Sequence, residues 1–244
     1  MADSHNMRTA TQTRADTAID QGLRSYMLGI YNLMAIGLVI TALAAMGMAS
    51  LAAGNPQLMQ TFYASPVAYI LIFAPLVAVL FLSFGIQKLS TGAARLLFIA
   101  YSALVGLSLS SIFFMFSKGS IAQVFFITAA SFGALSLYGY TTRRDLRPLG
   151  TFLFIGLFGV ILASLVNLFF HSGGLNYLIS VIGVFLFAGL TAYDTQAIKE
   201  IYYEGDSHDT MGRKIVMGAL TLYLDFINMF MMLLQLLGNR SSSS

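Results

Sequence analysis

Apolar residues in this chain neither alternate nor keep to one helical face. They come in seven near-continuous blocks, at about 27–53, 67–87, 96–117, 121–140, 151–170, 175–198 and 215–237. Each block reaches the roughly 20 residues that a helix needs to cross the hydrocarbon. In lipid, every backbone N–H and C=O must be satisfied within the segment, so helix is the expected conformation. Gly54-Asn55-Pro56, Ser65-Pro66, Ser117-Lys118-Gly119, Pro148 with Gly150, Ser172-Gly173-Gly174 and Gly205-Asp206-Ser207 separate the blocks with ordinary turn chemistry. The predicted fold class is therefore all-α, a polytopic membrane protein of seven transmembrane helices. Residues 1–24 form a polar tail, disordered or surface-lying, and residues 25–240 form the transmembrane domain. The first block is far longer than the 7–15-residue core of a signal peptide, so it is expected to be an uncleaved span.

Composition agrees with the pattern. Of 244 residues, 57% are apolar and 9% charged, against about 25% charged in soluble domains. The length suffices for these spans with short loops, and a separate soluble domain is not expected. Cysteine is absent, which removes thiolate chemistry and disulfides. The net charge of +3 resides in the loops, so it reports topology rather than affinity for nucleic acid. With the N-terminus inside, the inner segments hold Arg8, Arg14, Arg24, Lys88, Arg95, Arg143, Arg144, Arg147, Lys199, Arg213 and Lys214, and the outer ones only Lys118 and Arg240. Eleven against two predicts a cytoplasmic N-terminus and an external C-terminus.

Small residues mark where helices approach. Ser102, Gly106 and Ser110 recur every four residues on the third span, and Ala129 and Gly133 do so on the fourth, predicting close packing within the bundle, with a dimerisation face as the alternative. Pro75 is expected to kink the second span, as a hinge or as static packing.

Ionisable side chains are nearly absent from the spans. Lys88 and His171 fall at helix ends, where snorkelling accommodates them. The exceptions are Asp194 in the sixth span and Asp225 in the seventh, each costing about 2.5–3.5 kcal/mol by insertion scales. The plainer reading, in which each pairs with a backbone amide or a lysine, leaves that cost without a use. The two spans are consecutive and antiparallel. Measured from Lys199 and Lys214, the carboxylates lie at depths of about 8 Å and 16 Å, a mismatch that shrinks if helix six continues through Tyr202 and Tyr203. On the seventh span Thr221, Asp225, Asn228 and Gln235 share an arc of about 80°. One polar stripe on an apolar helix predicts that this helix is central in the bundle, with Thr221, Asn228 and Gln235 as candidate pore-lining residues. Interhelical hydrogen bonding is the alternative.

Two carboxyls held close in a low dielectric cannot both ionise cheaply, so they titrate as a unit and sense protons. Ionised, their oxygens suit Ca²⁺ and not soft metals. The acidic loop Glu200, Glu204, Asp206 and Asp209 either concentrates cations at the inner mouth or is simply a solvated loop.

The run Phe187-Ala-Gly-Leu-Thr-Ala-Tyr-Asp-Thr-Gln-Ala-Ile-Lys199, followed by Leu222-Tyr-Leu-Asp-Phe-Ile-Asn228 and Leu233-Leu-Gln-Leu-Leu-Gly238, resembles the Bax inhibitor-1 (transmembrane Bax inhibitor motif) family. Phe84-Gly-Ile-Gln-Lys88 and Tyr101-Ser-Ala-Leu-Val-Gly-Leu-Ser-Leu-Ser-Ser111 resemble its bacterial branch. The resemblance covers most of the chain beyond residue 20. It implies seven helices with the last wrapped by the other six, in the bacterial inner membrane. It also implies a pH-sensitive Ca²⁺ leak gated by an aspartate pair, here Asp194 and Asp225. A basic latch from the second helix belongs to the same picture, and Lys88 is the one candidate. No catalytic residue and no cofactor are expected.

Two other classes compete. A non-transporting regulator that binds a membrane protease or assembly factor fits the same features. An intramembrane aspartyl protease would carry Gly-x-Gly-Asp and a later Pro-Ala-Leu, whereas this chain has Leu222-Tyr-Leu-Asp225 and no proline after Pro148. Gly-x-Ser-Gly, His-Glu-x-x-His and a phosphate-binding Gly-x-x-x-x-Gly-Lys loop are also absent.

Overall fold

The structure, a computed structural model, describes residues 2–63 and 65–241, and the side chains of these except 2–19, 72 and 87. Asp3, Arg8, Arg14 and Asp16 thus lie outside the described side chains. The chain runs through α1 (Ala2–Ala53), α2 (Pro56–Tyr63), α3 (Val67–Gly85), a 3₁₀ turn (Ile86–Lys88), α4 (Thr91–Leu109), α5 (Ile112–Met115), α6 (Lys118–Thr141), α7 (Arg147–Phe170), α8 (Gly173–Glu200) and α9 (His208–Leu237). Among the described residues, seven helical stretches are long and apolar enough to cross a membrane, the third being α4 with α5.

Serine side chains start four of these helices. Ser90, Ser117, Ser172 and Ser207 each accept a backbone N–H from three residues on, satisfying donors that the first turn leaves free. Pro148 opens α7, where its missing N–H costs nothing. His171 ends it in the left-handed region at φ 48°. Pro75 sits inside α3 without ending it.

Four boundaries differ from expectation. The polar tail is helical and continuous with the first span: no Gly or Pro interrupts residues 2–21. The third span breaks at Ser110–Ser111, where the Ser110 hydroxyl bonds both the Leu107 carbonyl and the Tyr63 hydroxyl of α2. Helix α8 stops at Glu200, so Tyr202 and Tyr203 lie outside it, while α9 starts at His208, well before the expected 215.

Helix α9 is the most enclosed of the seven and packs against α1, α4, α6 and α8. Helices α3 and α7 form an outer layer, α3 against α4 and α7 against α8. The last helix is thus central, but four helices enclose it rather than six. Gly106 shows why α4 lies so near α1: a Cβ there would land on the Thr41 carbonyl oxygen and 2.7 Å from Ala44 Cβ. The expected partner on α6 fails this test. Gly133 is exposed, with nothing near its missing Cβ, and the close approach is made instead by Gly139 against the backbone of Ala192. Spacing by four identifies a helical face but not whether it meets protein or lipid.

Candidate functional site

Asp194 and Asp225 come from neighbouring antiparallel helices, α8 and α9. The depth mismatch between them is absorbed below the site. The Lys214 ammonium on α9 donates to the Ile201 carbonyl just past α8 and pairs with Asp206. The mismatch of about 8 Å, between five and six residues of helical rise, is taken up across the loop that Lys214 ties to the end of α8. The carboxyls consequently meet within hydrogen-bonding contact. Asp225 is 4% exposed and Asp194 half-buried. Among the described residues, no N–H or hydroxyl donates to Oδ2 of Asp225; its polar neighbour is the other carboxyl. A carboxyl–carboxyl hydrogen bond requires a proton on one member.

The pair lies on the wall of a cavity of about 600 Å³ bounded by α3, α7, α8 and α9. Leu76 and Val79 of α3 and Leu157 and Val160 of α7 supply apolar walls, and Ser164, Thr221 and Asn228 add polar groups. The Asn228 amide donates its N–H to the Leu224 carbonyl at 2.8 Å, leaving its side-chain oxygen uncommitted by that bond. Gln235 lies outside this cavity, exposed, and accepts the Ser180 hydroxyl at 2.9 Å. Lys88 is exposed in the 3₁₀ turn, and among the described residues no ion pair joins it to either aspartate.

Hydroxyl networks hold both helices. Thr41 of α1 donates to the Ser102 carbonyl of α4 at 2.9 Å and lies 2.6 Å from the Tyr223 hydroxyl, two residues before Asp225. Phe98 and Tyr101 pack edge-on against the Tyr223 ring. On the other side, Tyr31 of α1 bonds Ser136 of α6, which bonds Thr195 of α8, next to Asp194. Tyr223 falls within a recognisable motif, whereas Thr41 and Ser136 do not. Lone hydroxyls in apolar runs were the only signal, and their partners lie 182 and 59 residues away. The acidic loop is largely engaged as well. Glu200 pairs with Arg147 at 3.5 Å, Asp206 with Lys214, and Asp209 accepts the Thr91 hydroxyl at 3.2 Å.

Comparison with known proteins extends the picture. The model of the family described as inhibitor of apoptosis-promoting Bax1 matches residues 23–242. The chain is 48% identical to the inner membrane protein YbhL of Escherichia coli K12, over 93% of this chain and 97% of that one. It is 44% identical to protein RP147 of Rickettsia prowazekii, over 96% and 97% of the two chains. A protein of Borreliella burgdorferi is 42% identical, over 88% and 92%. Both of these are described as uncharacterized.

Proposed function

The chain belongs to the family of the inhibitor of apoptosis-promoting Bax1, and from that premise we propose that it is a pH-sensitive calcium-leak channel of the bacterial inner membrane, gated by Asp194 and Asp225. One observation carries the reading. In the middle of a chain that places almost no charge in its spans, two carboxyls meet on the wall of a cavity lined by four helices. When the pair holds one proton, the hydrogen bond ties α8 to α9. When it loses that proton, two like charges face each other in a low dielectric, and repulsion of this kind drives the helices apart. The same four oxygens then face a passing cation, joined by those of Thr221 and Asn228. They are hard ligands suited to Ca²⁺. Two carboxylates fall short of the six to eight oxygens of a storage site, and such weak ligation lets an ion leave as well as enter.

Net flux falls with acidity on this scheme, because protonation restores the tie and removes the ligand charge. The Lys/Arg asymmetry orients the molecule with its N-terminus in the cytoplasm. Ca²⁺ entry into dye-loaded liposomes that contain only the purified protein tests the reading. Entry above that of empty liposomes supports a channel, and entry equal to theirs leaves the regulator in its place.

A further inference from the structure

A second cavity, of about 720 Å³, lies on the other side of α9, bounded by α1, α4, α5 and α6. Its volume is in the range of about 300–1,000 Å³ usual for ligand sites. Leu38, Ala45, Phe113, Phe125, Phe226 and Phe230 make it apolar. The Thr41 hydroxyl inside it is already engaged by Ser102 and Tyr223. Ala42, Met46 and Phe126 on its wall are exposed, so it opens sideways onto the surface that faces lipid.

One end of this cavity is charged. Lys118 lines it, and the C-terminal segment brings Arg240 alongside. Arg240 pairs antiparallel with Phe116, the Ser117 N–H donates to the Asn239 carbonyl, and the Ser241 N–H donates to the Met115 carbonyl, each at 3.1 Å. The Asn239 N–H closes the junction on the Ser120 hydroxyl at 2.9 Å. The only Lys and Arg that the sequence places at this end of the bundle are thereby carried on two paired backbone segments. No acidic residue occurs in 54–66, 110–120, 171–176 or 238–244. Among the described residues, neither cation has an ion-pair partner.

We propose that this cavity binds a phospholipid with a net negative headgroup from the leaflet on the Lys118 side, its acyl chain in the cavity and its phosphate against Lys118 and Arg240. The apolar interior excludes a free phosphate, and the paired cations without counter-charge distinguish the occupant from a zwitterionic lipid. The site lies against Phe226 and Phe230, on the face of α9 away from Asp225, and does not depend on the channel reading.

The chain has no tryptophan, so one introduced residue reports by fluorescence. Phe113→Trp is placed in the cavity and Phe158→Trp on the exposed surface of α7. Each is reconstituted with phosphatidylglycerol, phosphatidylcholine or oleic acid brominated in the chain. Phosphatidylglycerol is expected to quench Phe113→Trp at about five-fold lower mole fraction than phosphatidylcholine, the scale set by one cation near an anionic surface. Phe158→Trp should show no preference. Adding Lys118→Gln and Arg240→Gln should abolish the preference at Phe113→Trp. Native mass spectrometry of the full chain without tryptophan gives a readout independent of that variant's folding: phosphatidylglycerol is retained by the wild type and lost from Lys118→Gln/Arg240→Gln. Equal quenching by both phospholipids, retention that survives removal of both cations, or stronger quenching by oleic acid than by phosphatidylglycerol would overturn the proposal.

Discussion

A buried hydroxyl costs little when paired and about 1–3 kcal/mol when orphaned, and that asymmetry makes the Thr41–Tyr223 contact measurable. Thr41→Val keeps the shape, removes the donor to the Ser102 carbonyl, and takes from the fully buried Tyr223 hydroxyl its partner at 2.6 Å, leaving it only the Ser102 side chain. It is expected to destabilise the protein by about 1–3 kcal/mol, and adding Tyr223→Phe should recover part of the loss because both partners are then apolar. Thermal unfolding in detergent checks this. A double variant less stable than Thr41→Val alone would show that the Ser102 side chain suffices as the tyrosine hydroxyl's partner. The sequence made Asp194 and Asp225 legible because carboxylates stand out in apolar spans. A threonine and a tyrosine do not, and their pairing exists only once α1, α4 and α9 are packed.

At the scale of helices, the small-residue positions separate into two kinds. Gly106 meets α1 backbone, which cannot move aside like a flexible side chain, whereas Gly133 meets nothing. Gly106→Leu is therefore expected to cost at least the 1–3 kcal/mol typical of overpacking, roughly, and to lower the yield of monodisperse protein. Gly133→Leu should stay within about 0.5 kcal/mol of the wild type. Equal yields would mean that α1 and α4 have room between them. The seven spans were legible from block length, and the central place of α9 from its polar stripe. The break at Ser110–Ser111 and the early start of α9 were not. The first depends on a hydroxyl from α2, which leaves no mark in local composition, and the second on the Ser207 cap, which lies ahead of a polar first turn that block length does not count.

For the whole molecule, charge divides the ends. Lys88, Arg95, Arg143, Arg144, Arg147, Lys199, Arg213 and Lys214 gather at one end of the bundle, Lys118 and Arg240 at the other. A reporter fused after Gly238 should accordingly be active only in the form that works outside the cytoplasm. Activity of the cytoplasmic form would invert the topology or remove one crossing. The outer layer of α3 and α7 was not legible, since both of these spans are apolar all round and hydropathy does not say which faces meet lipid. For the same reason neither cavity was visible in the sequence, although Thr221 and Asn228 on the wall of one of them were. Gln235 shares their helical arc but lies further along α9, beyond that cavity.

The aspartate pair is the centre of the proposed function, and its titration is open to direct measurement. Ca²⁺ entry into dye-loaded proteoliposomes, followed between about pH 6 and pH 8, should rise with pH in the wild type as the shared proton leaves. Asp→Asn at either position keeps the shape and removes the titration. Asp194→Asn and Asp225→Asn should each lose most of the pH dependence, and the double variant should be little different from either, because the two carboxyls act as one unit. Intact wild-type pH dependence in both single variants would contradict the shared-proton gate.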